Sequence, residues 1–246
     1  MTPTDPARDR RTLALWLLIV AAMIFFMVVL GGTTRLTRSG LSIVEWRLLE
    51  GTLPPLSEAH WLELFDKYQL TPEYRKVNVG MDLTGFKEIF WLEYLHRLWG
   101  RLIFFAALIP LLWFLWRKQI EPPLVRRMVA VPLLVAANGV LGWLMVASGL
   151  VDIPRVSPYR LTAHLGLAIA IYGYVLWLAL GLLYPAQGKV EWAPLRRGAT
   201  AVAALVFFMT LTGGFVAGTK AGYAFNTFPL MNGRFVPEGI FGMAPW

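Results

Sequence analysis

Trp91-Leu92-Glu93-Tyr94-Leu95-His96-Arg97-Leu98-Trp99-Gly100-Arg101 runs without a break into the apolar stretch Leu102 to Trp116, and this junction decides the fold. The apolar stretch is by itself too short for the roughly 20 residues that cross a hydrocarbon core. The spanning helix must therefore reach back to about His96, which puts an ionisable side chain within the membrane boundary. A second histidine is placed alike. Ser157-Pro158-Tyr159-Arg160-Leu161-Thr162-Ala163-His164 heads the apolar run Leu161 to Tyr184. Ionisable groups inside spanning helices are costly, so they usually face a bundle interior and serve a site. Imidazole is a common nitrogen ligand of haem iron. The plainer alternative is two interfacial histidines bonded to backbone.

Composition agrees with a chain built in lipid. Of its residues 57% are hydrophobic and 15% charged, and the mean hydropathy is +0.56. These values predict an all-α polytopic membrane protein. Five segments are long and apolar enough to span: about Thr12–Gly32, Trp91–Trp116, Arg127–Leu150, Tyr159–Tyr184 and Gly198–Gly218. The first follows Arg8, Arg10 and Arg11 but is too long for a signal peptide and lacks a cleavage site, so it reads as a retained helix. The net charge of +8 lies in loops between apolar spans, which argues for topology signals rather than nucleic-acid binding. No cysteine is present, which excludes disulfides, thiolate haem ligation and thiol catalysis.

The basic residues set the orientation. Arg8, Arg10 and Arg11 precede the first span, Arg117, Lys118, Arg126 and Arg127 lie between the second and third, and Lys189, Arg196 and Arg197 lie between the fourth and fifth. The connection between the third and fourth spans has only Arg155 and Arg160. The positive-inside rule then makes the N-terminus cytoplasmic and puts the long loop 33–90 outside. The second and fourth spans run in parallel, with His96 and His164 each about five residues in, roughly 7–8 Å below the outer boundary. Two imidazoles at matching depth suit an iron porphyrin held within a four-helix bundle.

The neighbours of His96 extend this site. Glu93 lies at i−3 on the same helical face, within reach of a group bound by His96. Gly100, a turn below, is expected to leave room for a flat macrocycle. Arg97 and Arg101 suit porphyrin propionates, since guanidinium pairs with carboxylate as a fixed fork. Plainer uses exist for each: the arginines can snorkel to lipid phosphates, and Glu93 can pair with Arg97 at i+4. A Glu-x-x-His spacing also occurs in di-iron bundles, but those need a second such motif and further carboxylates, which the third and fourth spans lack.

The outer loop has its own order. Ser57 after Pro54-Pro55 reads as an N-cap, and Trp61, Leu62, Phe65 and Tyr68 form an apolar stripe. Thr71-Pro72 reads as a cap and first helical position, and Asp82 to Glu88 as a separate short helix entering the membrane. These stretches are expected to cover the bundle at the interface. His60 reads as a surface residue with no ligand role. A repeat is also present. Gly31-Gly32, Thr37-Arg38, Gly40, Leu48, Gly51 and Pro55 match Gly213-Gly214, Thr219-Lys220, Gly222, Leu230, Gly233 and Pro237 at a constant offset of 182. The expected organisation is therefore an N-terminal four-helix bundle over residues 1–190, with its outer loop at 33–90, followed by the start of a pseudo-symmetric second bundle at 191–246.

Gly31-Gly32-Thr33-Thr34-Arg35-Leu36-Thr37-Arg38-Ser39-Gly40, the Glu93 to Arg101 string and Arg160-Leu161-Thr162-Ala163-His164-Leu165 together closely resemble the haem A synthase family, best in its proteobacterial and mitochondrial branch. The resemblance covers essentially the whole chain in order. It implies two four-helix bundles, each with a histidine pair, that convert the C8 methyl of haem O to the formyl of haem A for terminal oxidases. It further implies substrate haem flanked by His96 and His164, catalytic participation of Glu93, and a haem b cofactor in the second bundle. Haem O synthase and terminal oxidase assembly factors are the implied partners, and a bacterial inner membrane the implied location. This sequence departs from some members in lacking a cysteine pair in the first outer loop. The family's second histidine pair would fall near positions 278 and 346 by the repeat offset, beyond Trp246, so an incomplete enzyme is expected.

In outline, oxidising a methyl on a conjugated ring means removing electrons and stabilising positive character at the carbon. A carboxylate at the ring edge can do the latter or take the released proton. A bis-histidine membrane cytochrome b, or a haem carrier or assembly factor without chemistry, would also account for the two histidines and the arginines. The cytochrome b does not explain a carboxylate beside the ring or a structured outer loop, and the carrier would yield no formyl haem.

Overall fold

The computed structural model describes residues 6–46, 50–184 and 192–236. It is helical throughout, with an isolated bridge between Met231 and Arg234 as the β-type pairing among the described residues. The helices are α1 (Pro6–Leu36), α2 (Glu58–Gln69), α3 (Pro72–Lys76), α4 (Leu83–Trp116), α5 (Pro122–Ala147), α6 (Pro158–Leu183), α7 (Ala193–Thr219) and α8 (Ala221–Ala224). Of these α1, α4, α5, α6 and α7 are long and apolar enough to cross a membrane. The chain is a multi-pass membrane protein.

Four helices close a ring in which α1 packs on α4 and α6, and α5 packs on the same two. Helices α4 and α6 stand diagonally across it, and α7 lies outside against α6. Along α1 the buried residues Leu13, Leu17, Val20 and Ile24 recur at helical spacing and meet Ile103, Ala107 and Leu111 of α4 and Ile171, Val175 and Leu178 of α6. Ile19, Phe25 and Phe26 on α1, with Ile109 and Leu112 on α4, stay exposed. An apolar outer face is expected where the solvent is lipid.

Pro110 lies inside α4 and has no N–H to offer the carbonyl four residues back. That carbonyl belongs to Ala106, and the Trp16 indole of α1 donates to it at 2.8 Å. A group that proline strips of its partner is thus satisfied by a neighbouring helix, as hydrocarbon requires. Away from the α2–α3 face, Arg10 pairs with Glu121 at 2.7 Å and the Gln119 amide donates to Asp9 at 2.8 Å, tying the start of α1 to the α4–α5 turn.

The segment Asp82–Glu88 is not the separate helix expected. Asp82 caps the N-terminus of α4 itself, its carboxylate accepting from Gly85 N at 2.8 Å. No breaker follows before the membrane, and Phe86 and Phe90 are held by burial against Trp61, Phe65 and Tyr68 of α2. Burial of an apolar face, rather than propensity, extends the helix. Ser57 and Thr71 cap α2 and α3 as expected, accepting from His60 N and Tyr74 N. Trp61, Phe65 and Tyr68 are buried, but Leu62 is exposed; one residue past Trp61, it points about 100° away from that face. The spanning helices also outrun their apolar cores: α1 begins at Pro6 and α5 at Pro122, where proline suits a first helical position.

Helices α1 and α7 end alike. The Thr37 hydroxyl donates to the Thr33 and Thr34 carbonyls, and the Thr219 hydroxyl to those of Phe215 and Val216. Arg38 and Lys220 follow in the left-handed region, at φ 56° and 58°, and each backbone N–H returns to the helix, at Arg35 O and Ala217 O. Every one of these pairs is separated by the repeat offset. The repeat matches at Leu48 and Pro237 lie outside the described residues.

Candidate haem site

His96 and His164 come from the diagonal pair α4 and α6, near enough to interact electrostatically. Each imidazole leans on a glycine of one of the other two helices. A Cβ on Gly31 of α1 would stand 3.1 Å from His96 Nε2, and one on Gly142 of α5 would stand 2.9 Å from His164 Cε1. His164 Nδ1 lies 3.1 Å from the Asn138 carbonyl. A carbonyl can only accept, so in this hydrogen bond Nδ1 is the donor. His60 is exposed on α2, apart from both.

Glu93 is 2% exposed and its carboxylate is fully engaged. Oε2 accepts from Ser42 N and Ser42 Oγ, each at 2.7 Å, and from Ile43 N at 2.9 Å. Oε1 accepts from Arg97 Nε at 3.0 Å and Arg97 Nη2 at 2.6 Å. Charge-assisted, with two guanidinium N–H groups on one oxygen, the Arg97 bonds are of the stronger kind. Arg97 continues to the carbonyls of Ile43 at 2.8 Å and Glu45 at 3.2 Å, with Trp46 stacked on its guanidinium at 5.2 Å. The network thus ties residues 42–46 to the helix that carries His96.

The expected residues are therefore grouped in two clusters. His96 and His164 stand on the diagonal helices α4 and α6, each ring set against a glycine of α1 or α5, while Glu93 and Arg97 bind each other and the loop. The i, i+4 pairing weighed for Glu93 and Arg97 is formed. Arg101 donates to the Arg97 carbonyl at 2.9 Å. Gly100 does not leave the open space expected: Met27 Cε of α1 stands 3.2 Å from where its Cβ would be, because α1 crosses α4 here at close range. Ser42, Asn138 and Gly142 were not singled out from sequence, and Gly31 was marked by the repeat and the resemblance but not as a neighbour of His96. No local pattern marks these contacts, since each acts on a residue many positions away.

Above this, Lys67 of α2 pairs with Glu63 at 2.7 Å and with Glu45 at 2.8 Å, so the cover is tied to the same loop. The hydrogen bond that it donates to Glu45 above all holds the Lys67 ammonium above its ordinary range. Glu73 of α3 is 4% exposed, and its Oε2 has no hydrogen-bond partner. Burial pushes its carboxyl up to about 7, with the charge of Glu93 adding to the effect and Arg38 and Lys220 opposing it.

The family model described as "cytochrome oxidase assembly protein" matches residues 14–246. The chain is 55% identical over 240 residues to a haem A synthase of Nitrosospira multiformis, covering 96% of this chain and 67% of the relative. It is 48% identical over 237 residues to the haem A synthase of Parvibaculum lavamentivorans, covering 96% and 69%. It is 50% identical over 238 residues to that of Paramagnetospirillum magneticum, covering 94% and 67%. No solved structure matches the chain.

Proposed function

The chain belongs to the cytochrome oxidase assembly protein family, and on that premise we propose that it oxidises the C8 methyl of haem O to the formyl of haem A. It is a membrane oxidoreductase of haem A synthesis, and its curated relatives are named haem A synthases. The observation that carries the site is the pair of imidazoles on diagonal helices, each set against a glycine of a neighbouring helix. The donor set fits an iron porphyrin: two imidazoles, with Nδ1 of His164 engaged by the Asn138 carbonyl and its Nε2 left for the metal. His96 and His164 flank the substrate haem, and Arg97 and Arg101 line the same helix.

Glu93 acts at the ring edge through its fixed negative charge. Every lone pair of its carboxylate is already met by a donor, so accepting a proton would break a bond. Standing charge needs no such rearrangement when positive character develops on the ring. Residues 42–46 are held to α4 at that end of the bundle by the same carboxylate and by Arg97. The haem ring supplies the redox chemistry when bound.

The N-terminus is cytoplasmic in a bacterial inner membrane, and the α2–α3 cover lies on the outer face. Residues 1–190 form the substrate bundle and 191–246 begin a second, repeat-related one for a haem b cofactor; the matching exits of α1 and α7 support this division. Haem O synthase and terminal oxidase assembly factors are its partners.

The test is pigment extraction from membranes that co-express this protein with a source of haem O. Formyl haem, absent from cells without this protein, is the expected product. Bound haem O with no formyl product would overturn the assignment in favour of a bis-histidine cytochrome or a haem carrier.

A further inference from the structure

Helix α5 supplies neither imidazole, yet it holds one of them. The Asn138 carbonyl that meets His164 Nδ1 at 3.1 Å lies in the interior of α5 (Pro122–Ala147). A helical carbonyl at that position also serves the N–H four residues on, and that residue is Gly142. A Cβ at 142 would stand 2.9 Å from His164 Cε1 and 3.3 Å from Nδ1. A Cβ contact of 2.9 Å essentially never occurs, so a side chain at 142 requires a shift, and the nearest atoms to give way are those of the His164 ring that meets the carbonyl. Gly139, on the same helix, has nothing within 4 Å of its Cβ position. The close approach is therefore specific to 142.

We propose that the Asn138 carbonyl and the bare backbone at Gly142 form a positioning site for His164, fixing its Nδ1-protonated tautomer so that Nε2 is the nitrogen offered to iron. The proposal rests on the reading of His164 as a haem ligand. Its physical logic has two parts. A carbonyl that accepts from the distal ring N–H fixes ring orientation and raises ligand basicity, the usual outer-shell arrangement for a ligating histidine. Without that carbonyl the N–H would also be an unmatched donor in hydrocarbon. His96 is held differently: its Nε2, not Nδ1, faces the neighbouring glycine, Gly31. The two imidazoles are thus unequal, with His164 the one whose free nitrogen is set beforehand.

The test reads side-chain ¹⁵N shifts of histidine in the full chain in lipid nanodiscs, prepared without haem. Wild type is compared with Gly142→Ala and Asn138→Ala, and iron protoporphyrin IX is then titrated into each and into His164→Ala. Wild-type His164 is expected to be protonated at Nδ1 and bare at Nε2. Asn138→Ala keeps the backbone carbonyl and should keep this state, whereas Gly142→Ala should lose it. Loss of an outer-shell partner typically weakens binding about tenfold or more, so Gly142→Ala should show that drop with an altered low-spin spectrum.

Wild-type His164 protonated at Nε2 would overturn the proposal, and this measurement needs no variant to fold. A Gly142→Ala protein with unchanged tautomer and spectrum would overturn it too. If the tautomer is as expected but His164→Ala binds porphyrin with an unchanged spectrum, the ligand reading itself fails.

Discussion

The Glu93 carboxylate accepts from both the backbone N–H and the hydroxyl of Ser42, each at 2.7 Å, so a spanning helix and the loop after α1 close on one acid. The third donor to that oxygen is Ile43 N, and Arg97 holds the other oxygen. This bonding makes Glu93 both a structural tie and a fixed charge, and the two roles have different signatures.

Glu93→Gln keeps the size of the side chain but removes its charge, and its NH2 must face the donors of Ser42 and Ile43 or those of Arg97. Haem O should remain bound while formyl product falls at least tenfold, about 1.4 kcal/mol of barrier. Ser42→Ala removes one donor of several and should cost far less activity. Pigment extraction with haem quantification separates these outcomes. Equal loss of haem and product in Glu93→Gln would assign the residue to structure alone, and near-normal turnover would remove it from the chemistry.

The histidines should behave as a pair. His96→Ala and His164→Ala are each expected to lower haem retention without preventing insertion, which depends on the apolar spans. His60→Ala is the control, since His60 is exposed on α2 and uses its backbone, not its ring, to reach Ser57. Optical spectra of the purified variants check this. Unchanged spectra in both spanning variants would dismiss the site.

The sequence made legible what depends on local chemistry. Ser57 and Thr71 cap helices because hydroxyls accept from N–H groups three residues on, and the five spans follow from length and apolarity. The repeat could be read from glycines and threonines in register, and its threonine back-bonds and left-handed Arg38 and Lys220 have the same local origin. What escaped were pairings between distant positions: Ser42 with Glu93, Asn138 with His164, Met27 with Gly100. Periodicity gives the face on which a residue lies but not which neighbour meets it. Thus the space expected at Gly100 is filled, and the arginine expected to await a propionate, Arg97, already holds Glu93, Ile43 and Glu45.

Trp16 offers a test of packing independent of haem. Its indole satisfies the Ala106 carbonyl left open by Pro110. Trp16→Phe keeps most of the apolar volume but strands that carbonyl, at a cost of about 1–3 kcal/mol. Replacing Pro110 by alanine as well restores the helical N–H, so Trp16→Phe with Pro110→Ala should recover much of the loss. Thermal unfolding in detergent measures both. No recovery in the double variant would mean that the indole acts by packing and not by its N–H.

Glu73 predicts how the α2–α3 cover responds to pH. Its carboxyl, ordinarily near 4.5, is raised to about 7 in the folded protein by burial first and by the charge of Glu93 second. Below about 4.5 the group is protonated whether the cover is folded or not, so it contributes no pH dependence there. Between that point and about 7 an unfolded cover releases the proton while the folded one keeps it. The folded cover is therefore progressively disfavoured as pH rises through this window, and the penalty is constant above it. A shift of this size corresponds to about 3 kcal/mol. Amide hydrogen exchange over α2 and α3, corrected for intrinsic rates, should show stronger protection at pH 5 than at pH 8. Glu73→Gln should flatten the difference and raise protection at pH 8, because it removes the ionisation while keeping the shape. Protection in wild type that is the same at both pH values, or that increases toward pH 8, would refute the assignment.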